Sequence, residues 1–204
     1  YSMHMSRVQK NAPQQGQMHP NAPQTTRPHA EQTPAAQAQA GAGRPTQFAE
    51  GLTWSEAIAA CGLAGVAWFT AKMGRTPATV AEVKQAAQAT KAWDENSGMY
   101  GAEATARLMR DTYGIAARVE NGVDWEKIRR DVFAGNPVLF DTSAGSAGHY
   151  YGVENARQRP DGVWEYDLGT SVTDLKASRG RQWFTADEIP SLGFGNPDKT
   201  IYDD

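Results

Sequence analysis

Residues 55–69, SEAIAACGLAGVAWF, constrain the fold more than any other stretch of this chain. Its alanines and glycines present little side-chain bulk, so a helix built from it admits close neighbours on several sides. That predicts a buried central helix, with Ile58, Leu63, Val66, Trp68 and Phe69 inside it. The TWSE segment at 53–56 has the Thr-x-x-Glu form of a capping box, and Gly74 supplies a stop. The same stretch holds Cys61, the one cysteine in 204 residues. A lone cysteine cannot close an internal disulfide, so the fold does not rely on an oxidising compartment.

Downstream patterning supplies partners for that helix. Residues 76–90, with Pro77 early, 99–114, ending at Gly114, and 124–136 each place apolar side chains at helical spacing. After Gly135 the period shifts toward two. Strands are predicted at 137–142, 149–156 and 163–170, with a flexible SAGSAG loop after the first and an RPDG turn at 159–162 before the last. Residues 181–193 read as a final strand and a short helical turn. Helices followed by an antiparallel meander make an α+β fold, with N-terminal helices and a buried central helix packed on an antiparallel sheet.

Composition divides the chain near residue 46. Residues 1–46 contain eight Gln, eight Ala and six of the eleven Pro, and Val8 is their only branched aliphatic residue. Such a segment buries too little apolar surface to offset its ordering entropy, so 1–46 is expected to be an extended arm or linker, and 47–204 the folded domain. The arm carries four basic residues against one acidic, which leaves the domain near −6 of a total of −3. An acidic domain without a basic, aromatic-interleaved cluster argues against nucleic acid as a partner. No apolar run is long enough to span a membrane, and the first residues lack the apolar core of a secretory signal. The expected setting is the cytoplasm, or a virion or secreted assembly in which the arm binds a neighbouring protein chain.

A single cysteine commonly serves as a small buried hydrophobe. The histidines point elsewhere. His4, His19 and His29 lie in the arm, so the domain pairs its one cysteine with one histidine, His149, at the start of a predicted strand after the Gly/Ser/Ala loop. Asp167 follows across one turn in the next strand, sharing a face with Glu165. A helix N-terminus and a neighbouring imidazolium both favour thiolate over thiol. The imidazole then protonates a leaving amine, while a carboxylate holds its tautomer. One Cys and one His cannot close a zinc shell, and no Gly-rich loop precedes a helix, so neither metal nor cofactor is expected.

The motifs ACGLAG at Cys61, MYGAEATARLM, IRRDVFAGNPVLF, GHYYGV at His149 and YDLGT at Asp167 occur in an order that resembles the bacteriocin-processing (double-glycine) peptidases and their papain-like cysteine peptidase relatives. The resemblance covers about residues 52–192. It implies a papain-like fold in which Cys61 is the nucleophile, His149 the general base and acid, and Asp167 the orienting carboxylate. The implied substrate is a polypeptide or cell-wall peptide. That family carries an oxyanion-donating Gln about six residues before its cysteine. Ser55 occupies the position here and is the oxyanion candidate through its hydroxyl; the nearest upstream glutamine is Gln47. Leu168 replaces the family's Pro after the aspartate. If one helix ran on from Trp54, Cys61 would sit about two turns inside it, whereas a break before Cys61 would return it to a helix N-terminus. Two other classes fit the residues. One is a catalytically weak or inactive peptidase-like structural subunit whose arm binds neighbours, and the other a cell-wall amidase or deamidase toxin.

Overall fold

A computed structural model of the chain describes residues 46–74, 79–143, 148–168 and 180–204. The arm before Thr46, Pro77, most of the SAGSAG loop and the end of the predicted 163–170 strand lie outside the described residues.

The chain is α+β with antiparallel sheets. Helix α1 (Trp54–Ile58) opens on the expected capping box: Thr53 Oγ1 accepts from the Glu56 amide at 3.2 Å, and Glu56 Oε1 accepts from the Thr53 amide at 2.9 Å. The helix then breaks, and α2 (Cys61–Lys72) starts anew. Every residue of α2 from Cys61 to Ala71 is buried. Helix α3 (Val80–Ala89) repeats the capping box with Thr79 and Glu82. Strands β1 (Trp93–Asp94) and β2 (Gly98–Met99) form a small hairpin. Met99 was expected to begin a helix; instead α4 (Ala102–Tyr113) starts after Gly101, whose φ of 104° breaks the path, and stops at left-handed Gly114. Packed on α2 are α3, α4, β2 and two strands of the main sheet, as a helix of small residues requires.

The main sheet has the order β3 (Ala117–Asn121), β9 (Asn196–Asp203), β4 (Val138–Ser143), β5 (Tyr150–Gly152). Helix α5 (Trp125–Phe133) joins β3 to β4. A second sheet consists of β6 (Asn155–Gln158), β7 (Trp164–Asp167) and β8 (Trp183–Thr185), and a 3₁₀ helix (Ala186–Leu192) follows β8. The predicted meander is therefore corrected twice. The 149–156 strand splits at Val153–Glu154 and feeds two sheets, and the C-terminal strand β9 inserts between β3 and β4.

Alternation along the main sheet makes two cores. Leu139, Tyr150 and Ile201 face the core around α2. Val138, Phe140, Tyr151 and Tyr202 face a second core with Ile128 and Val132 of α5 and Tyr166 and Phe184 of the second sheet. The period-two rule thus places one face of each strand against the central helix and the other against the second sheet.

Candidate active site

The break before Cys61 has a local cause. Ala59 and Ala60 adopt φ/ψ of −96°/9° and −100°/11°, short of the helical well. Two buried side chains take up carbonyls there: Gln47 Nε2 donates to Ala57 O at 3.1 Å, and Trp93 Nε1 donates to Ala59 O at 2.7 Å. With those two acceptors satisfied from outside, the chain leaves one helix and begins another. Cys61 is consequently the first residue of a twelve-residue helix, and no side chain caps that first turn. The helix dipole there favours a thiolate.

Helix α2 lies against β5, the edge strand that follows His149. The approach is close because Gly62 has no side chain; a Cβ there would stand 3.3 Å from Tyr150 Cε1. The His149 backbone is held on both sides by Thr142, whose amide donates to His149 O at 2.9 Å and whose Oγ1 accepts from the His149 amide at 3.0 Å. The imidazole stacks on Phe194, centroids 4.7 Å apart, and meets Tyr151 edge-on at 4.8 Å. Burial above all pushes the Tyr150 and Tyr151 hydroxyls well above their ordinary range. Asp141 adds to this at Tyr150, and the charge of Cys61 adds at both.

Burial alone lowers the His149 pKa to about 3. The expected imidazolium counter-ion is therefore absent at neutral pH, where the ring is uncharged and has the form of a base. Cys61 and His149 are each 1% exposed and Asp167 is 0% exposed, so the described site is closed to solvent.

Asp167 ends β7, opposite Asn155 on one flank and Trp183 on the other. Its neighbours Tyr166 and Leu168 belong to the same core as Tyr151 and Phe194, the two rings against His149. Its carbonyl accepts from the Glu154 amide at 2.8 Å, which ties the end of β7 to the link that follows the His149 strand. The Asp167 strand is thus attached to the His149 strand through backbone.

Ser55 is placed differently from the expectation. It lies on the exposed side of α1, and its hydroxyl donates to Glu95 Oε2 at 2.7 Å. Gln47, fourteen residues before the cysteine by its numbering, is fully buried at the end of α1, and its Oε1 has no hydrogen-bond partner among the described residues. Glu154 and Lys72, which with Trp68 join α2 to the β5–β6 link, were not singled out in the sequence, and Trp68 was expected only as a core residue. The visible signal was a lysine and a tryptophan four apart, at the same helical phase as Cys61.

Among the described residues, no group of three or more His, Cys, Asp and Glu stands together to hold a metal ion, and no helix is long and apolar enough to cross a membrane. No family model matches the chain, and no curated protein matches it.

Proposed function

We propose that residues 47–204 form a papain-like cysteine peptidase that hydrolyses peptide bonds in a polypeptide or cell-wall peptide through Cys61, His149 and Asp167. The observation that carries this reading is the break between α1 and α2. It makes the single cysteine the first residue of a buried helix, and that helix packs on the strand following the single histidine of the domain.

In this reading His149 takes the Cys61 proton as Sγ attacks the scissile carbonyl carbon. The C–N bond breaks as the amine leaves with that proton, and the acyl group stays on sulfur as a thioester. Water then gives a proton to His149 and its oxygen to the acyl carbon; the carboxylic acid leaves as the proton returns to the thiolate. The uncharged His149 is the form that this first step consumes. Asp167 holds the ring's tautomer, a role that its burial beside the shared core supports. The donors that this reading assigns to the oxyanion are the backbone amides at the start of α2 and the buried Gln47 amide, a task that Ser55, committed to Glu95, does not meet.

One observation favours a second reading. Cys61 and His149 are each 1% exposed, as in a peptidase-like structural subunit whose arm, residues 1–46, binds neighbouring chains in an assembly such as a virion. Reaction of the full chain with iodoacetamide separates the two, because mass spectrometry reads the single cysteine directly. A peptidase site gives alkylation at pH 6 faster than glutathione and loses it in His149→Gln. Alkylation slower than glutathione, unchanged in His149→Gln, supports the structural subunit and sinks the peptidase.

A further inference from the structure

Glu154 touches all three chain segments that bear the site residues. It sits in the link between β5 and β6. Its Oε1 accepts from Trp68 Nε1 at 2.5 Å, its Oε2 lies 2.5 Å from Lys72 Nζ, and its amide donates to Asp167 O at 2.8 Å. The carboxylate is almost enclosed, with its side chain 6% exposed against 25% for Lys72. Trp68 and Lys72 belong to α2, which begins at Cys61; Asp167 ends β7; Glu154 itself follows the His149 strand.

We propose that Glu154 is a positioning residue for the Cys61–His149–Asp167 site, setting where the thiol stands along the axis of α2. The proposal rests on the peptidase reading above. Helix α2 meets the sheet through Gly62 and Gly65, and Ala64 and Ala67 are buried beside them. Apolar burial has no direction, and a face of small residues offers little to resist sliding or rotation. Charge-assisted hydrogen bonds do have direction. Positions 61, 65, 68 and 72 recur at helical spacing, so the thiol and both of Glu154's partners lie along one stripe of the helix. A displacement at Trp68 and Lys72 therefore carries through to Cys61. A shift of about 1 Å in a reacting group costs on the order of a hundredfold in rate.

The test follows Cys61 alkylation by iodoacetamide against pH in the full chain, with circular dichroism and thermal melting alongside. Wild type is expected to react with a profile displaced below that of glutathione. Glu154→Gln keeps an acceptor for Trp68 but removes the charge facing Lys72. Lys72→Met removes the same pair from a partly exposed position, which keeps the test open if Glu154→Gln does not fold. Both folded variants are expected to lose on the order of tenfold in rate at pH 6, with the profile moving toward glutathione's. Lys72→Arg is expected to restore the profile. Folded variants that melt lower but keep the wild-type profile would make Glu154 a structural residue only and overturn the proposal. A wild type that already follows glutathione removes the peptidase reading, and the positioning role with it, before any variant is compared.

Discussion

Trp93 donates its indole N–H to the Ala59 carbonyl across 34 residues of sequence, and that bond stands two residues before Cys61. The cysteine's place at a helix N-terminus thus depends on a side chain from the β1–β2 hairpin. Trp93→Phe fills most of the same volume and leaves a buried carbonyl without its donor, at a cost of about 1–3 kcal/mol. The expected outcome in urea unfolding is a loss of that size. Cys61 alkylation should fall as well in the protein that remains folded, because the bridge conformation at Ala59–Ala60 loses its support. Unchanged alkylation in a folded Trp93→Phe chain would separate the hairpin from the site.

Ser55 and Gln47 give opposite expectations. The Ser55 hydroxyl is spent on Glu95 at the surface, so Ser55→Ala should change stability by less than about 0.5 kcal/mol. It should also leave hydrolysis intact. Gln47→Ala removes the donor to Ala57 O from a fully buried place and should lower stability by about 1–3 kcal/mol. If its amide receives the oxyanion, turnover falls on the order of a hundredfold at saturating substrate while KM moves little. A peptide-hydrolysis assay on both variants ranks the two residues.

Acid stability should hide two opposed contributions. Burial raises the Asp141 carboxyl to about 6, against the pull of the Lys199 amide at 2.9 Å and with the help of the Asp198 charge. Its folded pKa exceeds the ordinary 3.8, so the stability it adds is full below that value and is lost as pH rises toward 6. His149 acts the other way. With its pKa lowered from 6.5 to about 3, the folded state resists protonation, and stability falls as pH drops through that window. The magnitudes are about 3 and about 5 kcal/mol, so between 3.8 and 6 they largely offset. Wild-type melting temperature should therefore vary weakly with pH there. Asp141→Asn should make it rise steeply with pH and should stabilise the protein at pH 8, and His149→Gln should make it fall. Parallel pH curves for all three proteins would contradict both assignments.

Much of the helical half was legible because its signals are local. The Thr53–Glu56 box, the small-residue run at 57–67 and Gly114 act within one turn of their own position. The sheet was less legible. Strand β9 reads NPDKTIYD, and only Thr200, Ile201 and Tyr202 are buried, so its central place comes from pairing with β3 and β4 and not from its own pattern. The split at Val153–Glu154 was hidden for a related reason: the segment keeps strand character throughout and only changes partner. At the site, the sequence marked Cys61, His149 and Asp167 by residue type. It could not show that Ser55 faces outward or that Glu154 reaches α2, since both follow from contacts 40 and 86 residues apart.

The glycines of α2 offer a final test of how closely the central helix must seat. A Cβ on Gly65 would come within 3.0 Å of Leu139 Cδ1, a fully buried side chain of β4 with no room to retreat. Gly65→Ala should therefore lower stability by about 1–3 kcal/mol even though alanine is the better helix former. A Cβ on Gly62 would overlap Met99 near the root of its side chain and press on Tyr150, one residue from His149. Gly62→Ala should cost a similar amount and should also separate the start of α2 from β5, slowing Cys61 alkylation where Gly65→Ala leaves it closer to wild type. Denaturation curves give the first quantity and alkylation of the folded protein the second. Equal alkylation rates in the two variants would mean that the thiol's reactivity does not depend on the seating of the start of α2 against β5.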